Sequence, residues 1–151
     1  MEISDKKIIK AKILHTSRDV VWKKWTTQKG LYSFFGKENK IEITPGGPYE
    51  IYFILDNPEG LRGSEGCIVL SFLPEEMLSF TWNAPPVFMD LRESTHLTWV
   101  ILTFKKISDD LTEVVLTHTG WPVDPEWTKV YDYFVKAWDV VLNNLEKSIK
   151  K

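Results

Sequence analysis

The C-terminal end constrains this chain more than any other feature. From Trp127 to Ile149, apolar residues fall at Trp127, Val130, Tyr131, Phe134, Trp138, Val141, Leu142, Leu145 and Ile149, at gaps of 3, 1, 3, 4, 3, 1, 3 and 4. That spacing traces one broad stripe along an α-helix, and Lys129, Asp132, Lys136, Asp139, Asn143, Glu146 and Lys147 take the other side. Asp124 is the expected cap and Pro125 the first helical position. A helix this long, apolar along one face, needs a wide apolar surface to lie on.

The upstream sequence offers one. "KIIKAKILH" alternates as a first strand, "HTSRDVVWKKWTT" reads as a helix capped by Thr16, and a second short helix spans Gln28 to Phe35, stopping at Gly36. The period then shortens to two. "NKIEITP", "YEIYFILD", "EGCIVLSFL", "MLSFTWNA", "THLTWVILTFKKI" and "LTEVVLTHTGW" are separated by turn signals such as "PGGP" and "NPEG", which argues for an antiparallel meander. Tyr49, Ile51, Phe53 and Leu55 make one apolar strand face, and Leu78, Phe80 and Trp82 another. The order predicts a single α+β domain over residues 1–151, with about six to seven antiparallel strands curved around the last helix. A twisted sheet does not close tightly along its whole length on one helix, so a cavity between the two is expected.

Composition narrows the function. With 19 basic and 21 acidic residues the net charge is -2, which gives no pull toward nucleic acid or anionic membrane. The single Cys67, in a strand-like run, excludes a disulfide framework within the chain and fits a cytoplasmic protein. The N-terminal residues lack a signal-like apolar core, and no apolar run is long enough to span a bilayer. No phosphate-binding glycine loop, GxSxG, HExxH or paired CxxC occurs. His15, His96 and His118 lie on three different strands or strand ends with no metal-ligand spacing, so no metal or cofactor is expected. Glu65, Glu75, Glu76, Asp90 and Glu93 read as solvated loop charges, and Asp132–Lys136 and Glu146–Lys150 as surface pairs.

Four stretches, "VWKKWTTQKGLYSFFG", "ITPGGPYEIYF", "GSEGCIVLSFLPEEMLSFTWNAPP" and "LTEVVLTHTGW…YFVKAWDVVLNNL", together resemble the stand-alone bacterial START-like proteins similar to the C-terminal domain of the activator of heat-shock-protein-90 ATPase, within the SRPBCC superfamily. The resemblance implies the helix-grip (Bet v 1-like) fold and a deep hydrophobic cavity. It also implies a possible chaperone partner and a part in stress response, although the separate N-terminal domain of the eukaryotic co-chaperone has no counterpart here. Fold alone does not choose among carriers, cyclases and co-chaperones.

Seven tryptophans are more than a minimal core needs. The candidate cavity residues are Phe35, Tyr49, Phe53, Phe80, Trp82, His118, Tyr131, Phe134 and Trp138. The loop "WNAPPVFMDL" can gate the entrance or simply connect two strands. His118 stands in the inward register of Val114 and Leu116. It is either an interior histidine with satisfied nitrogens or a polar handle for a bound molecule, with Tyr49 or Tyr131 as a second handle. The chain thus reads as a non-enzymatic binder of a small apolar molecule, monomeric or homodimeric. A protein-interaction module and a cyclase- or hydrolase-like enzyme are the alternatives.

Overall fold

The computed structural model describes residues 1–149. In chain order these form β1 (Ile8–Leu14), α1 (Arg18–Thr26), α2 (Gln28–Phe34), β2 (Glu38–Ile41), β3 (Tyr49–Tyr52), β4 (Val69–Leu73), β5 (Met77–Trp82), α3 (Met89–Arg92), β6 (Thr98–Ser108), β7 (Leu111–Thr119) and α4 (Trp127–Ile149). The main sheet is antiparallel with strand order β1-β7-β6-β5-β4. The β2–β3 hairpin continues its curve, since the Gly46 and Val69 N–H groups donate to the carbonyls of Val69 and Gly47, both at 2.8 Å.

The alternation anticipated in the strands is the alternation of burial. Val100, Leu102 and Phe104 of β6, Val114, Leu116 and His118 of β7, and Leu78, Phe80 and Trp82 of β5 are all buried. Against them α4 buries Trp127, Val130, Phe134, Trp138, Leu142 and Leu145. These side chains, with those of α1, α2 and β3, make one continuous core. Lys10 and Lys12 of β1 reach past it to the flank of α4, at 3.1 Å from Asp139 and 2.8 Å from Asn143. At such exposure these contacts orient the helix more than they stabilise it.

The elements depart from the sequence reading at their ends. Regular helix in α4 begins at Trp127, because the Asp124 and Pro125 carbonyls accept from the N–H groups of Trp127 and Thr128 in a tighter i→i+3 turn. Asp124 nonetheless caps through its side chain, which accepts the Glu126 N–H at 2.9 Å. Ser17 rather than Thr16 is the N-cap of α1, as the Thr16 carbonyl is engaged by the Thr112 hydroxyl at 2.9 Å. β3 stops at Tyr52, for Phe53 and Ile54 both donate to the Arg62 carbonyl and the chain turns back. Phe53 and Leu55 therefore leave the apolar face of Tyr49 and Ile51 and are exposed. Among the ion pairs of the described residues none joins Asp132 to Lys136, and Lys150 lies outside those residues. After β7, Gly120 turns the chain at φ +87° beneath the Trp99 ring, where an added Cβ would lie 2.4 Å from Trp99 Cζ3.

Leu145→Ala is expected to cost about 3 kcal/mol in urea unfolding, since Leu145 is fully buried, whereas Val140→Ala on the exposed side changes stability by less than about 0.5 kcal/mol.

Candidate functional site

A pocket of about 980 Å³ opens between α4, the end of β5 and the loops that follow α2, β3 and β5. Its inner wall is aromatic. Phe35 lies 5.7 Å from Trp82 and 5.9 Å from Trp138, and Trp82 lies 5.5 Å from Trp138, measured between ring centroids. Phe134 stacks on Trp138 at 5.9 Å, and Phe53 closes the set at 5.5 Å from Phe35. Each ring comes from a different segment or helical turn, so the wall exists only in the folded chain. Five of the nine candidate residues, Phe35, Phe53, Trp82, Phe134 and Trp138, thus line one pocket.

The other four lie elsewhere. Tyr49 stacks on Phe80 at 4.3 Å toward α1, and its hydroxyl donates to the Trp25 carbonyl at 2.7 Å. Burial there pushes the phenol pKa upward. Tyr131 turns toward the N-terminal residues, donating to the Lys7 carbonyl at 3.0 Å with the Lys6 ammonium over its ring. Neither tyrosine is a free handle.

His118 is fully buried one layer behind the wall. Its Nδ1 accepts from the indole N–H of Trp138 at 2.9 Å, and its Nε2 lies 2.7 Å from the Thr98 hydroxyl. An indole can only donate, so Nδ1 carries no proton and Nε2–H donates to Thr98. Thr98 in turn donates to the Trp82 carbonyl at 3.0 Å. Both ring nitrogens are used by the protein, and burial depresses the imidazole pKa to about 3. A ring with no free nitrogen and no carboxylate partner is not built for proton transfer at neutral pH. It holds the Trp138 indole and ties it, through Thr98, to the β5 backbone at Trp82.

The mouth is braced by a contact that periodicity could not reveal. Arg92 donates to the carbonyls of Ala84, Gly60 and Gly63 at 2.7–2.8 Å and to the Glu65 carboxylate at 3.1 Å. Glu65 also accepts the backbone N–H groups of Gly60, Arg62 and Gly63. Burial alone would raise its pKa, but the backbone donors and the Arg92 charge outweigh it and hold the carboxyl below its ordinary value. Glu65 is therefore an anchor between two loops, not the solvated charge expected from sequence. Gly63 is required there, since an added Cβ would lie 1.9 Å from the Ile51 carbonyl oxygen. α4 adds a second stripe to the pocket wall, Tyr133, Ala137, Val140 and Asn144, beside its core stripe. Its gaps of 4, 3 and 4 are helical, but the charged residues interleaved on that side mask the stripe in the sequence.

Cys67 is buried, with its thiol pushed up to about 12, chiefly by desolvation, and is inert. Among the described residues, no three His, Cys, Asp or Glu side chains gather where a metal could be held, and no helix is long and apolar enough to cross a membrane.

The family model for activator of Hsp90 ATPase homolog 1-like protein matches residues 15–150. The chain belongs to that family. Among solved structures, protein MLL2253 from Mesorhizobium loti superposes with a TM-score of 0.75 at 16% identity, over 96% of this chain and 97% of that one. The Aha1 dimer from Colwellia psychrerythraea gives a TM-score of 0.69 at 16% identity, over 95% and 96%. CalU16 from Micromonospora echinospora gives 0.67 at 19% identity, over 93% and 71%. At these identities the likeness is one of fold, and this family member is a helix-grip protein with a curved antiparallel sheet and a long C-terminal helix. Among curated proteins none matches the sequence.

The buried imidazole sets a pH dependence. Below the ordinary His pKa of 6.5 the unfolded chain binds a proton that folded His118 refuses until about pH 3. Stability is thus unaffected by this group above 6.5 and falls on acidification, by up to about 1.4 kcal/mol per pH unit. Urea unfolding of wild type and His118→Gln across that range is expected to show this component only in wild type.

Proposed function

We propose that this protein binds a small, largely apolar molecule in the pocket between its sheet and α4, without chemical turnover, in the cytoplasm. The observation that carries this is the wall of five rings around an opening of about 980 Å³, near the upper end of the range for small-molecule sites. The inert His118 and Cys67 support binding over catalysis. Titration with the uncharged dye N-phenylnaphthylamine, read by quenching of Trp82 and Trp138, is expected to saturate at one dye per chain. Ala137→Trp, which places an indole in the opening, should weaken binding at least about tenfold, as expected for filling a ligand's space. Saturable binding unchanged by that substitution would place the dye elsewhere.

The family's link to Hsp90 supports a second reading, a co-chaperone-like module that can pair with a copy of itself as the Colwellia protein does. The exposed Val87, Tyr133 and Val140 at the pocket mouth offer apolar surface for such a contact. Sedimentation at rising concentration distinguishes a monomer from a homodimer.

A further inference from the structure

The inner wall of the pocket is aromatic, and polar groups line its α4 rim and its loop end, where Arg62 is grouped with Phe53, Gly63 and Asn83. Arg62 is half-buried, and almost everything about it except the end of its guanidinium is fixed. Its carbonyl accepts from Phe53 and Ile54 at 2.7 and 2.9 Å, and its backbone N–H donates to Glu65 at 2.9 Å. Its Nε donates to the Asn57 carbonyl at 2.7 Å. The two Nη groups have no hydrogen-bond or ion-pair partner among the described residues. The contrast with Arg92, one loop away, is informative, because that guanidinium is consumed by three carbonyls and Glu65. Of the other charges at the pocket, Lys129 is engaged by Glu126 at 3.2 Å, while Asp132 and Lys136 stand exposed on α4. The rim thus carries three cations and one carboxylate on a chain whose net charge is -2.

A pocket-lining guanidinium held by its backbone and Nε, with its Nη groups left unpaired, has the features of a preorganised receptor for an anion. We propose that the pocket takes a small ring-bearing molecule with one anionic group, a carboxylate or its like, which pairs with the Nη groups of Arg62 while its rings lie against Phe35, Trp82 and Trp138. This rests on the binding function proposed above and adds the charge and shape of the ligand. The aromatic wall favours flat rings, and the single open fork at one end favours one anionic group at the edge of the molecule.

A matched pair of dyes tests it: N-phenylnaphthylamine, uncharged, and anilinonaphthalene sulfonate, the same ring system with one anionic group. Wild-type protein is expected to bind the sulfonate about tenfold more tightly, the ratio expected of one charge-assisted contact. Arg62→Gln should erase that ratio, so that the two dyes bind the variant with equal affinity. Equal affinities in wild type would overturn the anionic group while leaving apolar binding intact, and a preference that survives Arg62→Gln would overturn the role of Arg62. Binding of neither dye would instead overturn the binding function itself. Should Arg62→Gln unfold, Arg62→Lys, which keeps the charge but not the fork, is expected to lose most of the preference, and full retention would contradict the fork. Displacement of the neutral dye by naphthoate is expected to exceed that by dodecanoate; the reverse order would overturn the flat, ring-bearing body.

Discussion

A chain of buried hydrogen bonds holds the site together: Trp138 to His118, His118 to Thr98, Thr98 to the Trp82 carbonyl. It begins on α4 and crosses β7, β6 and β5 in turn. Apolar packing alone tolerates small slides and rotations of a helix on a sheet. A buried donor left without its acceptor does not, because each such loss costs about 1–3 kcal/mol. The indole of Trp138 therefore fixes the rotation of α4, and with it the spacing of Trp138 from Trp82 and Phe35. The same bonds remove the imidazole from chemistry, since no nitrogen is left over.

A second constraint acts at the mouth. Two irregular segments, 57–66 and 83–97, are joined by one half-buried ion pair with its hydrogen bonds satisfied on both sides. Pairs of this kind are sensitive to loss of one partner, which leaves the other charge desolvated. Here the arrangement gives an otherwise irregular rim a defined shape and presents Arg62 beside the aromatic wall. The opening and the rings are thus products of two polar networks set into an apolar core.

Much of this was legible in the sequence. The helical stripe of α4 and the two-residue alternation of the strands follow from burial of one face, so the fold and the inward faces of β5 and β7 could be read directly. Alternation gives the face of a strand but not the position along it. Tyr49 and Phe80 therefore read as cavity residues, whereas the structure places them at the α1 end of the core. His118 was legible as an inward polar group, but its partners come from β6 and from α4, 20 residues away in either direction. Arg92 and Glu65 left no trace, because a contact between loops 27 residues apart has no period. Arg62 escapes for the same reason, and because the alternation in YEIYFILD extends the strand four residues past Tyr52, to Asp56, carrying Phe53 into a strand it leaves.

The protonation of His118 bears most directly on the claim that a buried hydrogen-bond chain sets the pocket wall. A long-range proton–nitrogen correlation spectrum of the imidazole, recorded from neutral pH down to about pH 5, well inside the range where an ordinary histidine titrates, reads it without perturbing the protein. A neutral ring protonated on Nε2 alone, unchanged throughout, is the predicted result. A ring that titrates near 6.5, or one protonated on Nδ1, would mean that Trp138 does not donate to it, and the wall would have to be held by something else.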